Sequence, residues 1–126
     1  MNVHFSSLDM TWRTPKATYD ELNREFSFDF DPCPPNPTFD GLSIEWGKSN
    51  FVNPPYGREI GKWIAKGYQE HQKGKTVVFL IPSRTDSRWW HEYIMKAKEI
   101  RFIKGRLKFE GAVNNAPFPS CVVVFI

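Results

Sequence analysis

The sequence predicts a three-layer α/β domain with a mostly parallel sheet and an antiparallel C-terminal edge. Helical and strand periodicities alternate through the first hundred residues and end in a cluster of strand-like runs. Thr76-Val77-Val78-Phe79-Leu80-Ile81 is continuously apolar and β-branched, the pattern of a strand covered on both faces. With 126 residues, 40% hydrophobic and 25% charged, the chain has the material for one packed core and no room for two.

The elements follow in order. Thr14-Pro15 opens a helix that runs to about Glu25: Thr14 suits the capping position, Pro15 the first helical position, and Tyr19, Leu22 and Phe26 form the inner stripe. Phe26 to Asp31 alternates apolar and polar strictly, as a half-buried strand does, and Pro32 stops it. Residues 32 to 49 carry Pro34-Pro35, Pro37, Asp40-Gly41 and Gly47 without sustained periodicity and read as an ordered loop. A short strand, Asn50 to Asn53, ends at Pro54-Pro55. A helix from about Arg58 to Lys73 then places Ile60, Trp63, Ile64 and Tyr68 on one side, with Gly74 as its stop. After the Thr76–Ile81 strand, Asp86 suits the cap of a third helix with Trp90, Tyr93, Ile94 and Ala97 inward and Lys96 and Lys98 at its negative end. Trp89 and His91 sit beside that stripe. Ile100–Ile103, Leu107–Phe109 and Cys121–Ile126 are the remaining strand candidates.

Composition excludes several classes. No apolar run approaches the roughly 20 residues that cross a bilayer, and the start, MNVHFSSLDM, lacks the apolar centre of a signal peptide. Cys33 and Cys121 are too few and too far apart for a disulfide scaffold or a zinc knuckle, so a reducing, cytoplasmic setting is expected. His4, His71 and His91 show no metal-ligand spacing, Asp86 and His91 lack a nucleophile elbow, and no phosphate-cradling glycine motif occurs. The net charge of +3 fits a polyanionic partner without requiring one.

In an α/β sheet ligands bind at the carboxyl ends of the strands. Those ends are Asp31-Pro32, Asn53-Pro54-Pro55-Tyr56 and Pro82 to Asp86, which brings their polar residues to one rim. Two consecutive prolines fix φ twice and offer carbonyls without N–H groups of their own. The Asn53 oxygen beside the Pro54 carbonyl makes two acceptors aimed at one point, with the Tyr56 ring close by for a flat ligand. This suits a planar amine. A proline turn that merely caps the strand also fits so short a match.

The longer string resembles the phage-type DNA N6-adenine methyltransferases, which use S-adenosylmethionine. The resemblance runs through Trp12-Arg13-Thr14-Pro15, Phe30-Asp31-Pro32-Cys33, Asp40-Gly41-Leu42 with Trp46, Phe51 to Gly57, Leu80 to Asp86 with Trp89-Trp90-His91, and Gly105 to Phe109. It implies a compact, truncated Rossmann-like methyltransferase sheet and DNA as substrate. Adenine's exocyclic amine is a poor nucleophile because its lone pair is delocalised. Acceptance of its N–H bonds by Asn53 and Pro54 would restore that lone pair and stabilise the growing positive charge, with Pro55 stiffening the loop. Tyr56 would stack on the base once it is flipped from the duplex. Thr14, Pro15, Asp31, Pro32, Cys33 and Asn53 are the implied cofactor contacts, and Asp40 reads rather as a turn former. Arg84 and Arg106 would contact phosphate or the base, and a solvated surface arginine fits each equally well.

One departure is plain: Asp31-Pro32-Cys33-Pro34-Pro35 stands where most methyltransferases carry a glycine-rich turn, so the cofactor grip must be built differently. The loop chemistry also accommodates another planar amide or amine, such as protein glutamine or RNA guanine. A non-catalytic nucleic-acid-binding module of the same fold is the alternative from a different class. Only 21 residues separate Asp31 from Asn53. That brevity implies a stripped catalytic core whose sequence selectivity is loose or borrowed from a second copy or another protein.

Overall fold

The computed structural model describes residues 12–126, so His4 and the polar start lie outside it. The elements are α1 (Lys16–Phe26), β1 (Ser49–Val52), α2 (Ile60–Gln72), β2 (Thr76–Pro82), α3 (Arg88–Glu92) with a 3-10 turn at Ile94–Lys96, β3 (Glu99–Phe102) and β4 (Ser120–Phe125). No helix among the described residues is long and apolar enough to cross a membrane.

The four strands form one open sheet in the order β1-β2-β4-β3. The expected mostly parallel sheet is corrected here: β1 and β2 pair in parallel, whereas β2–β4 and β4–β3 are antiparallel. Nor is β4 an edge. Every residue from Ser120 to Phe125 is buried, which demands cover on both faces and a neighbour on each side, while β3 is exposed at Glu99 and Phe102 and takes the margin. Phe79 of β2 packs against Gly67 of α2, and Phe51, in register with Val78, meets Tyr19 of α1. Since Val78 and Phe79 point to opposite faces, α1 and α2 cover opposite faces of the sheet, and the three-layer arrangement holds. Gly67 is required there, because a Cβ would lie 2.3 Å from the Phe79 ring.

The alternation from Phe26 to Asp31 does not yield a strand. Ser27 turns left-handed at φ 51° to end α1, and only Phe30 bridges to Asn50 of β1. The Asp29 carboxylate takes the N–H of Ser49 at 3.0 Å and of Lys48 at 3.3 Å, groups that a longer ladder would have used. Leu107–Phe109 is likewise not a strand. Its chain pairs through Glu110 with Arg13, and Phe109 turns inward. The third helix is capped by Ser87, whose Oγ accepts the Trp90 N–H at 3.2 Å, and not by Asp86. At α1, Pro15 is the N-cap, without a side-chain cap, and Lys16 begins the helix. The Thr14 hydroxyl is used elsewhere. The Glu110 carboxylate accepts the Lys16 N–H instead, at 3.0 Å.

A buried carboxylate secures the long loop before β1. Glu70 of α2 is 1% exposed and accepts from Lys66 at 2.9 Å, Lys73 at 3.0 Å, Lys75, and the Trp46 N–H at 3.1 Å. Burial alone would raise its pKa, but these donors outweigh it and hold the carboxyl well below the usual range. Trp46 in turn donates its Nε1–H to the Gly41 carbonyl at 2.7 Å. Asn50, fully buried, closes the same region by bonding both backbone groups of Gly47 and the Thr76 carbonyl.

Candidate active site

β1 ends at Val52, and the chain leaves the sheet through Asn53-Pro54-Pro55-Tyr56 at the carboxyl end. The Asn53 side chain is oriented by two acceptors from the segment before α1: its Nδ2 donates to the Trp12 carbonyl and to Thr14 Oγ1 at 3.0 Å. Its Oδ1 is buried and has no partner. The other buried side-chain atoms without partners among the described residues are the hydroxyls of Ser83 and Ser120, which lie at the end of β2 and the facing start of β4, on the same rim. Buried polar atoms are almost always satisfied, which makes the Asn53 oxygen the acceptor to account for, since Ser83 has the Cys121 thiol beside it.

The segment holding Asn53 is itself pinned. The Trp12 ring packs against Phe109 and Phe118 at centroid distances of 5.4 and 5.3 Å. The Glu110 N–H donates to the Arg13 carbonyl at 2.9 Å. Tyr56 completes this cluster, edge-on to Phe109 and Phe118, with its hydroxyl donating to the Leu80 carbonyl at 3.2 Å. With 5% of its surface exposed, Tyr56 fastens the loop to β2 and also borders the concavity beside the loop. Burial pushes its phenol far above the ordinary value, so the group is a neutral donor.

Beside the loop lies a concavity of about 620 Å³ bordered by Pro32, Cys33, Phe39, Leu42, Pro55, Tyr56 and Trp63, with Asp40, Arg58 and Glu59 as its polar members. Its size and mixed lining suit a nucleoside-sized ligand. Gly41 makes the wall thin: a Cβ there would sit 2.0 Å from the Pro32 carbonyl and 2.8 Å from the Trp63 ring. Asp40 forms the expected turn, its Oδ1 accepting the Leu42 N–H at 3.0 Å. Asp31 stands just before this wall and accepts the Cys33 N–H at 2.9 Å. Burial pushes its carboxyl up to about 6 against that hydrogen bond. Burial, aided by the Asp31 charge, pushes the Cys33 thiol up to about 12 and keeps it neutral.

The structure thus brings Pro32, Cys33, Pro55 and Tyr56 to one concavity and joins Thr14 to Asn53. Thr14, Pro15, Asp31, Asn53 and Pro54 do not border the concavity. Arg84 and Arg106 are exposed and belong to no ion pair among the described residues. Sequence reasoning missed Phe39, Arg58 and Glu59 as wall residues, since nothing in a proline-rich loop or at a helix start marks a pocket lining. It also missed the part played by the Trp12 carbonyl, which no side-chain pattern could reveal.

The family model described as DNA N-6-adenine-methyltransferase (Dam) matches residues 3–120 of the chain. No curated protein and no solved structure matches it.

Proposed function

Because the chain belongs to the DNA N-6-adenine-methyltransferase family, we propose that it transfers a methyl group from S-adenosylmethionine to the N6 amine of adenine in DNA. The observation that carries this reading is the Asn53 carboxamide: its NH2 is held by two acceptors while its oxygen is buried without a partner at a strand end. A carboxamide fixed in this way presents an acceptor and nothing else. An adenine amine has two N–H bonds to give, one to Asn53 Oδ1 and one to the adjoining Pro54 carbonyl, which has no N–H competing on its own residue. Accepting both draws the amine lone pair out of the ring and stabilises the positive charge that grows on nitrogen as the S–CH3 bond breaks and the N–CH3 bond forms; the cationic amine is then acidic enough to lose its extra proton to water, so no titrating base is called for. Pro55 keeps the loop stiff, and Tyr56 anchors it to β2.

S-adenosylmethionine supplies the electrophilic sulfonium methyl. The concavity beside the loop fits it: Pro32, Cys33, Phe39, Leu42 and Trp63 form an apolar slot for its adenine, and Asp40 and Glu59 are carboxylates on the wall suited to ribose hydroxyls and an ammonium group, with Asp31 one residue before that wall. This lining does the work of the glycine turn that the sequence lacks. We read the sheet as a shortened Rossmann-like methyltransferase sheet, and Arg84 and Arg106 as phosphate contacts on account of their exposure and unpaired charge.

The test is to incubate the protein with S-adenosylmethionine and unmethylated DNA, digest to nucleosides and measure N6-methyladenine by mass spectrometry. Asn53→Ala should lower the rate by about 10²–10³-fold, the usual cost of removing one pre-aimed polar group from a transition state. Product absent with wild-type protein, or an undiminished rate with Asn53→Ala, would defeat the reading.

A further inference from the structure

We infer that Thr14 and the Trp12 carbonyl form an orienting clamp that dictates which end of the Asn53 carboxamide faces the substrate. The inference rests on the proposed transfer to an adenine amine, and it assigns Thr14 a positioning role that differs from cofactor contact. An asparagine side chain is nearly symmetric in shape, but its two ends are opposite in hydrogen bonding: the oxygen accepts and the NH2 donates. An amine substrate is served only by the oxygen. A carboxamide turned by 180° would present two N–H donors to the two N–H donors of the amine and repel it.

The clamp prevents that reversal by chemistry rather than by bulk. Nδ2 has two hydrogens, and both are taken, one by Trp12 O and one by Thr14 Oγ1 at 3.0 Å. In the reversed amide, Oδ1 would lie against the Trp12 carbonyl, two acceptors with no proton between them. Thr14, whose hydroxyl can donate as well as accept, tolerates either orientation, so the choice of end falls to the Trp12 carbonyl and Thr14 adds a second anchor that keeps the carboxamide from swinging. The Trp12 carbonyl is kept in place by the packing of its ring on Phe109 and Phe118 and by the Arg13–Glu110 bridge. Thr14 is tied in through the next turn, where the Glu110 carboxylate receives the Lys16 N–H. Asn53 Oδ1 is thereby left as an acceptor whose amide need not turn over when the amine arrives.

The experiment compares Thr14→Val, which keeps the shape and removes the acceptor, with Thr14→Ser, which restores it. Cofactor affinity is read by calorimetry with the demethylated cofactor product, turnover by methyl transfer at saturating cofactor, and the clamp itself by the NMR signals of the Asn53 side-chain NH2. Thr14→Val should lower kcat about three- to tenfold, as expected for one lost hydrogen bond, with cofactor affinity unchanged. It should also move and deprotect one of the two amide protons, and Thr14→Ser should recover both readouts. Thr14→Ala carries the same expectations should the valine variant fail to fold. Weakened cofactor binding with kcat intact would overturn the inference and make Thr14 a cofactor contact. So would an Asn53 amide signal that Thr14→Val leaves untouched. A wild-type protein that shows no transfer would defeat the proposed function, and the amide signals would still decide whether the clamp exists.

Discussion

Replacing Asn53 by Asp exchanges one NH2 for one oxygen at constant shape, which makes it a sharp probe of the site. In the wild type Nδ2 makes two hydrogen bonds, to Trp12 O and Thr14 Oγ1. Losing both costs about 2 kcal/mol at about 1 kcal/mol each. The new oxygen would also face a carbonyl oxygen in a place where the existing Oδ1 is already buried without a partner. Ionising there is expensive, so the folded-state carboxyl is raised above the ordinary Asp value near 3.9. The sign follows. A protonated carboxyl can donate to Trp12 O and recover one bond, so near pH 4 the penalty is about 1 kcal/mol; it grows as pH rises through the raised value, because the unfolded chain sheds its proton first. At pH 8 it should be about 3 kcal/mol or more, once the missing bonds and the suppressed ionisation are both counted. With an unfolding entropy of about 2.1 cal/mol/K per residue, these figures correspond to Tm losses of about 4 °C and about 12 °C. Thermal unfolding followed by circular dichroism from pH 4 to pH 8, wild type against variant, measures the difference directly. A gap that stays flat with pH, or a variant as stable as wild type at pH 8, would refute the orientation of Asn53 described above.

Three further outcomes are expected. If the ionised Asp31 helps hold the cofactor, affinity for S-adenosylmethionine should rise as pH passes upward through about 6, where burial has placed its carboxyl, and Asp31→Asn should abolish that dependence in calorimetry. Gly67→Ala gains about 1 kcal/mol of helix propensity but forces a Cβ to within 2.3 Å of the enclosed Phe79 ring; the net loss should be about 1–2 kcal/mol, or about 4–8 °C in Tm, partly relieved by Phe79→Leu. Glu70, held below its ordinary pKa, contributes stability that is present above about pH 4.3 and lost as pH falls, so Glu70→Gln should destabilise the protein at pH 7 and flatten its acid-side unfolding curve.

Local periodicity made much of the fold legible. The α2 stripe, the enclosed β2 strand and the Gly74 stop were all readable because each is decided by residues within one turn or one strand. Gly74 sits at φ 95° with its N–H on the His71 carbonyl, as such a stop requires. Strand order was not readable, since antiparallel entry of β4 beside β2 depends on a partner some forty residues away. The cue was nonetheless present: Cys121 to Ile126 is as continuously apolar as β2, and such runs belong in the middle of a sheet. At the site, the strand-end position of Asn53 was legible from the abrupt Pro54-Pro55 break. The task of Thr14 was not, because a Thr-Pro pair ahead of a helical stripe reads as a cap, and the group that takes over the capping, Glu110, lies 94 residues downstream of Lys16. The packing of Tyr56 was hidden for a related reason: its neighbours Phe109 and Phe118 lie more than fifty positions downstream.

The tie between Trp12 and the Phe109–Phe118 region has a consequence in time as well as in space. Asn53 is synthesised before half the chain exists, yet the carbonyl that aims it is steadied only by residues emerging more than fifty positions later. Closing such a distant contact carries an entropic cost that helix formation in α1 or α2 does not, and it is met late in folding. A nascent or partly folded chain would thus carry the whole Asn53–Tyr56 sequence with its acceptor unaimed. Methyl-transfer competence should appear in one step with closure of the last loop, not in proportion to the amount of helix and sheet already formed.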